Sequence, residues 1–347
     1  MISAHFYRSS LISEDQLLRL FLRAEKKIQI SVIIPAFNSS AYISECIGSV
    51  VSQDLGEKEI IVVDDGSTDD TYELASAFPD VVVKHQQRKG ACAARNYGFG
   101  CSSGAYVKFL DSDDFLFDGA LKKQLEFARG HDLMTVTYGS VRALTDEVQG
   151  FSPDSETHTG SVQGVAALIK QNIYTSCPLY RREVIERVGG FDERLKANQE
   201  TNLNLRITLV GGRFVFDGVD VYARRIHSGK NRLSNRKRDP YKEFEMYRAC
   251  YSPVAECGSL EARQVLAAKT WERGRRVAYR NFSTAQRYVG FARELIGDKR
   301  WCHERTCFRQ VIARYTTPFW LDKTVMSVKK YLKGLFSNLF LKGRSDD

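Results

Sequence analysis

QISVIIPAFN (residues 29–38), EIIVVDDGS (59–67), VVVKH (81–85) and AYVKFLDSDD (105–114) are four short apolar runs, rich in Val and Ile, that read as buried strands. Between them, AYISECIGSVVSQ (41–53), TDDTYELASAF (68–78) and ACAARNYGFG (91–100) carry helical spacing. A strand-helix-strand rhythm of this kind predicts an α/β fold, a mostly parallel sheet flanked by helices. Ligands of such sheets bind beyond the carboxyl ends of the strands, which is where the unusual polar residues fall.

Working outward, 119–130 predicts a helix, 133–143 a strand, 151–161 a polar loop, and 161–171, 181–188 and 198–210 three more helices. The run RFVFDGVDVYARRI (213–226) is strand-like. Beyond about residue 235 the composition turns Arg-rich and helical, so the reading divides the chain into an N-terminal helical segment (1–27), an α/β domain (28–235) and a basic helical extension (236–347). At 347 residues the chain exceeds the ~150 of a common single domain, consistent with this division. Hydrophobic residues at 43% and charged residues at 27% are ordinary for a globular chain and exclude collagen-like or disordered classes.

The net charge of +9 is unevenly placed. Residues 261–347 hold 19 Lys and Arg against 8 Asp and Glu, net +11, and the first 260 residues sum to −2. Within that tail, 318–342 places Leu321, Val325, Val328, Leu332, Leu335, Phe336 and Leu339 on one helical stripe bordered by Lys323, Lys329, Lys330 and Lys333. Two readings stand: a helix lying on an anionic membrane surface, or one docked on the α/β domain with its lysines outward. No nucleic-acid recognition motif accompanies the charge, so nucleic acid is not expected as a partner. Eight scattered cysteines without a CxxC pair predict a reduced, cytoplasmic protein, and no apolar run is long enough to span a bilayer.

Three motifs sit at predicted strand ends. Asp111, Asp113 and Asp114 in FLDSDD repel one another unless a cation shares the site; the alternative is an acidic helix cap. In VVDDGSTDDT (62–71), Asp64 or Asp65 offers acceptors for a base or ribose, or the segment is simply a well-made cap. In IIPAFN, Pro35 and Phe37 offer a platform for a planar base, or a strand stop.

The order and spacing of SVIIPAFN (31–38), VVDDGSTDDT, GACAARNYGFGCSSGAYVKFLDSDD (90–114) and GGFDERL (189–195) resemble the family 2 glycosyltransferases, inverting enzymes of the GT-A (Rossmann-like) fold. The resemblance covers about residues 30–230. It implies a nucleotide-sugar donor, a UDP-sugar by expectation, held against Pro35, Phe37, Asn38, Asp64, Asp65, Arg95, Asp111 and Ser112. It implies Mn2+ or Mg2+ on Asp111, Asp113 and His227, with Arg224, Arg225, Lys230 and Arg232 near enough in sequence to clamp phosphates. Aligning FDERL on the family pattern puts Gln199 and Glu200 where a Glu-Asp pair is usual, so Glu200 is the expected catalytic base, one methylene longer than the usual Asp. The implied acceptor is a saccharide or lipid-linked hydroxyl, in cell-surface polysaccharide or lipid-linked oligosaccharide assembly at the inner face of the cell membrane. The rival reading is a catalytically silent sugar-nucleotide-binding or scaffold protein, motivated by the Gln199-Glu200 departure.

Overall fold

The computed structural model describes residues 28–145, 151–153, 160–162, 164–226, 239–278 and 280–297. The expected N-terminal helix, His227, Lys230, Arg232 and the amphipathic stripe of 318–342 lie outside the described residues.

Among the described residues nine strands form the sheet: β1 (Ile30–Ala36), β2 (Lys58–Asp64), β3 (Val81–His85), β4 (Tyr106–Phe109), β5 (Phe115–Leu116), β6 (Thr135–Thr145), β7 (Phe151–Pro153), β8 (Pro178–Arg181) and β9 (Arg213–Ile226). Their order is β3-β2-β1-β4-β8-β6-β9-β5, with β7 on β6. β3, β2, β1 and β4 are all parallel, the half that the sequence rhythm dictates. From β8 onward the sheet is mixed, because β8 runs antiparallel to both β4 and β6 while β9 runs parallel to β6.

The helices are α1 (Ile43–Val51), α2 (Thr71–Ser76), α3 (Ala91–Gly100), α4 (Ala120–Arg129), α5 (Val165–Lys170), α6 (Arg182–Val188), α7 (Gln199–Leu209), α8 (Pro240–Cys257), α9 (Leu260–Ala278) and α10 (Phe282–Ile296). β1 is buried at every position, the mark of a strand covered on both faces, which is why it reads as continuous Ile and Val. Helix α3 rests directly on β1 and β2, with Ala94 against Ile61 and Val63. Gly98 makes the approach possible, since a Cβ there would lie 2.5 Å from Ile33 Cγ2.

The helical extension starts on a strong signal. Asp239 caps α8 by accepting from the amides of Tyr241 and Lys242, both at 3.0 Å, and Pro240 occupies the first helical position. α8 packs on α7 and α9 on α5, so these helices belong to the same compact unit as the sheet. No helix of the described residues is long and apolar enough to cross a membrane.

Candidate active site

The first two motifs meet because β1 and β2 end side by side, with Ala36 opposite Asp64. Most of their polar atoms are engaged within the protein. Asn38 adopts a left-handed conformation (φ 50°), in which its amide donates to Ser67 Oγ at 3.0 Å and its Oδ1 accepts from the Thr68 amide at 2.8 Å. Asp64 accepts from the Ser67 amide at 3.2 Å and pairs with His85 Nδ1 at 2.8 Å. Buried Asp65 accepts from Gln86 Nε2 at 2.7 Å and from the Lys89 and Gly90 amides, both at 2.8 Å. It therefore fixes the turn that launches α3. The Phe37 ring lies under the Arg88 guanidinium, 3.4 Å from its centroid, a cation–π contact on one ring face.

The acidic motif follows β4. Asp111 keeps 38% of its side chain exposed, whereas the Ser112 hydroxyl is buried against Ser39 Oγ at 2.7 Å. Asp114 points inward and accepts from the Arg225 amide at 3.2 Å. Burial, reinforced by the charges of Asp113 and Asp111, pushes its carboxyl well above the usual range. The Cys46 thiol behind them is pushed up by burial and by the same three carboxylates. The motif thus splits, with Asp114 turned into the protein and Asp111 at the surface of a cleft.

Helix α3 aims one face at the opposite wall. Cys92, Arg95 and Asn96 stand at helical spacing on that face and engage residues 191–199. Asn96 pairs with the Phe191 backbone through both amide atoms, at 2.9 and 2.8 Å. A Cβ at Gly190 (φ 72°) would lie 2.6 Å from Asn96 Oδ1, so the turn after α6 requires glycine there. Buried Arg95 donates to Asp111 Oδ1 at 2.6 Å and to Gln199 Oε1 at 2.7 Å. Burial works against its charge, and Asp111 more than restores it. Arg95 thereby ties the acidic motif to the first residue of α7.

Asn198 (φ 54°) turns the chain into α7 and places Glu200 in its first turn. Ala91, Arg95, Asp111, Thr175, Lys196 and Glu200 line a cleft of about 180 Å³. Glu200 accepts from Asn172 Nδ2 at 3.2 Å, and burial raises its carboxyl above the ordinary glutamate value, with Arg95 opposing. A carboxylate at a cleft wall whose proton affinity burial raises is suited to take a proton from a bound hydroxyl.

Residues 31–189 match the family model for glycosyl transferase family 2. That segment, a little under half of the chain, is similar to the family 2 glycosyltransferases. The chain is 29% identical over 188 residues to the uncharacterized glycosyltransferase EpsJ of Bacillus subtilis, covering 51% of this chain and 55% of that protein. It is 26% identical over 182 residues to a PGL/p-HBAD biosynthesis glycosyltransferase of Mycobacterium tuberculosis, covering 51% of this chain and 68% of that one. The chain therefore spans little more than half the length of the Bacillus relative and about two thirds of the mycobacterial one. In three dimensions it shares its fold with residues 1–349 of S. aureus TarS, solved in complex with UDP-GlcNAc, at a TM-score of 0.64 and 21% identity, covering 78% of this chain and 82% of that one.

The expected residues fall into two groups. Arg95, Asp111 and Glu200 converge on one cleft. Pro35, Phe37, Asn38, Asp64 and Asp65 gather at the neighbouring strand ends, where Asn38, Asp64 and Asp65 hold loops in place. Arg225 stacks near Tyr42 and ion-pairs with Glu45 at 2.5 Å. Among the described residues no three His, Cys, Asp or Glu side chains cluster as a metal cage. Sequence reading missed Arg88, Asn96, Asn172, Thr175 and Lys196. For Asn96 a signal existed, because it follows Arg95 on the same helix face; the others stand in loops, where spacing carries no information.

Proposed function

We propose that this chain transfers a sugar with inversion from a nucleotide-sugar, a UDP-sugar by preference, to a hydroxyl acceptor. The observation that carries the reading is the cleft in which Asp111, bound by buried Arg95, faces Glu200. The likeness to TarS, which was solved with UDP-GlcNAc, supports the choice of donor class.

In this reading Glu200 accepts the proton of the acceptor hydroxyl, and the oxygen attacks the anomeric carbon. The bond from that carbon to the diphosphate breaks, its electron pair leaving with the nucleoside diphosphate. Asp111 and Asp113 are the residues that would hold Mn2+ or Mg2+. Their hard carboxylate oxygens suit such an ion, and the charges of Asp113 and Asp111, which add to burial in raising Asp114 and Cys46, are negative charge that a divalent cation would offset. Bound there, the ion would supply positive charge opposite the leaving diphosphate. Arg95 holds Asp111 in place through its 2.6 Å ion pair. The acceptor in this reading is a saccharide or lipid-linked hydroxyl at an anionic membrane surface.

The test is a panel of nucleotide-sugars offered to the full chain with Mn2+, reading both binding and nucleotide release. The expected result is saturable UDP-sugar turnover that is lost in Asp113→Asn. Binding without release in the presence of hydroxyl acceptors would favour the silent, sugar-nucleotide-binding reading, and no binding of any donor would sink both. Sedimentation of the chain with anionic vesicles at low salt tests the membrane component.

A further inference from the structure

Glu200 and α7 lie beyond the segment matched to the family, so what holds the carboxylate must be read from this chain. Asn172, in the extended segment after α5, donates through Nδ2 to Glu200 Oε1 at 3.2 Å. Its other amide atom, Oδ1, accepts from the Thr201 hydroxyl at 3.0 Å. An ionised Glu200 can only accept, so the amide presents its NH2 to that carboxylate and leaves Oδ1 to accept from the Thr201 hydroxyl. The segment itself is clamped on both sides of Asn172. Asn204 Nδ2 of α7 donates to the Ile173 carbonyl at 3.2 Å. Lys269 of α9 donates to the Ile169 carbonyl and to the Tyr251 hydroxyl of α8.

We infer that Asn172 is a positioning residue for Glu200, oriented by Thr201 and anchored through Lys269 to the helical extension. The inference rests on Glu200 being the base of the proposed transfer. A donor on one carboxylate oxygen fixes the plane of the carboxyl group and favours its ionised form, against the burial that favours the neutral one. The extension thereby takes part in holding the reactive group, through an unbroken chain from Lys269 to Ile169, along three residues to Asn172, and across to Glu200.

The experiment uses the full chain with UDP-GlcNAc and Mn2+ as probe and two readouts. One is UDP release, separated into kcat and KM; the other is the infrared carboxyl band of Glu200, identified by its loss in Glu200→Gln. Asn172→Leu is expected to lower kcat about ten- to a hundredfold with little change in KM, the size of one hydrogen bond to a charged group. Thr201→Val is expected to lower kcat about three- to tenfold, and Thr201→Ser to restore it, since only the hydroxyl matters. In Asn172→Leu and Thr201→Val the Glu200 band should convert from acid to carboxylate at higher pH; Arg95 and Asp111, the charged groups nearest to it across the cleft, are unchanged in both. Wild-type kcat and an unshifted band in Asn172→Leu would overturn the inference. Should that variant fail to fold, equal behaviour of Thr201→Val and Thr201→Ser in both readouts would overturn it instead. If Glu200→Gln keeps its turnover, the base assignment fails by itself, and the band shift still decides whether Asn172 and Thr201 govern this carboxyl.

Discussion

The two walls of the site use the same residue types for different ends. On the wall built from the ends of β1 and β2, Asp64 and Asp65 are buried and satisfied by backbone amides and neighbouring side chains, so that their charge holds loops in shape. On the wall built from the end of β4 and the start of α7, Asp111 stays partly exposed and Glu200 opens on the cleft with its pKa raised by burial. Acidic side chains buried among loop amides act as framework, and those held by one side chain each at an open cleft keep oxygens available to a ligand. If so, substitutions should separate cleanly: loss of stability on the first wall, loss of turnover on the second.

The sharpest break in this contrast is Glu200→Gln. With the base removed and size preserved, kcat should fall about a hundred- to ten-thousandfold, while the melting temperature holds or rises, because a buried acid is replaced by a neutral amide. UDP release and thermal unfolding on the same preparation check both halves. Asp65→Ala should do the reverse. It strips the acceptors from Gln86 and from the Lys89 and Gly90 amides, and a cost of about 2–4 kcal/mol is expected in urea unfolding. An Asp65→Ala protein with unchanged unfolding and lost donor binding would invert the assignment of the two walls.

Gly98→Ala probes the helix that connects the walls. The added methyl meets Ile33, so α3 must lift from β1 at a cost of about 1–3 kcal/mol. Because Arg95 rides on the same helix, the distance between Asp111 and Gln199 should also loosen, and kcat should fall more than donor affinity does.

How much of this was legible in the sequence follows the same divide. The parallel half of the sheet was readable because β1, β2 and β4 are buried over most of their length and so are largely apolar runs, Lys108 in β4 being an exception. The antiparallel insertion of β8 was not, since four residues carry no periodicity and their pairing is set by distant strands. Asp111 stood out as an acidic residue at a strand end, whereas Glu200 came into view only by aligning GGFDERL on the family pattern. The engagement of Asn38, Asp64 and Asp65 was not, because a satisfied carboxylate and a waiting one have the same letter. Asn172 lay out of reach for a related reason: its meaning depends on Thr201, 29 residues away, turning its amide.

The smallest effect comes from β4, the strand shared by the two halves of the sheet. Lys108 is fully buried there, its Nζ donating to Gln124 Oε1 at 2.8 Å and to the Cys177 carbonyl at 3.1 Å. Neither partner is charged, and burial lowers its pKa to about 7. In the unfolded chain the amine titrates near its ordinary value of 10.5. Between these values the unfolded state therefore holds a proton that the folded state has released, and stability must rise with pH through that window. From pH 7 to 8 the gain should be roughly 1 kcal/mol. Lys108→Met should flatten this slope in urea unfolding. The slope is the better measure than the absolute stability, because losing the donor to Gln124 shifts stability equally at every pH, whereas only a titrating amine bends it. A slope that survives in Lys108→Met would place the titration on another group and leave Lys108 a charged residue of the core.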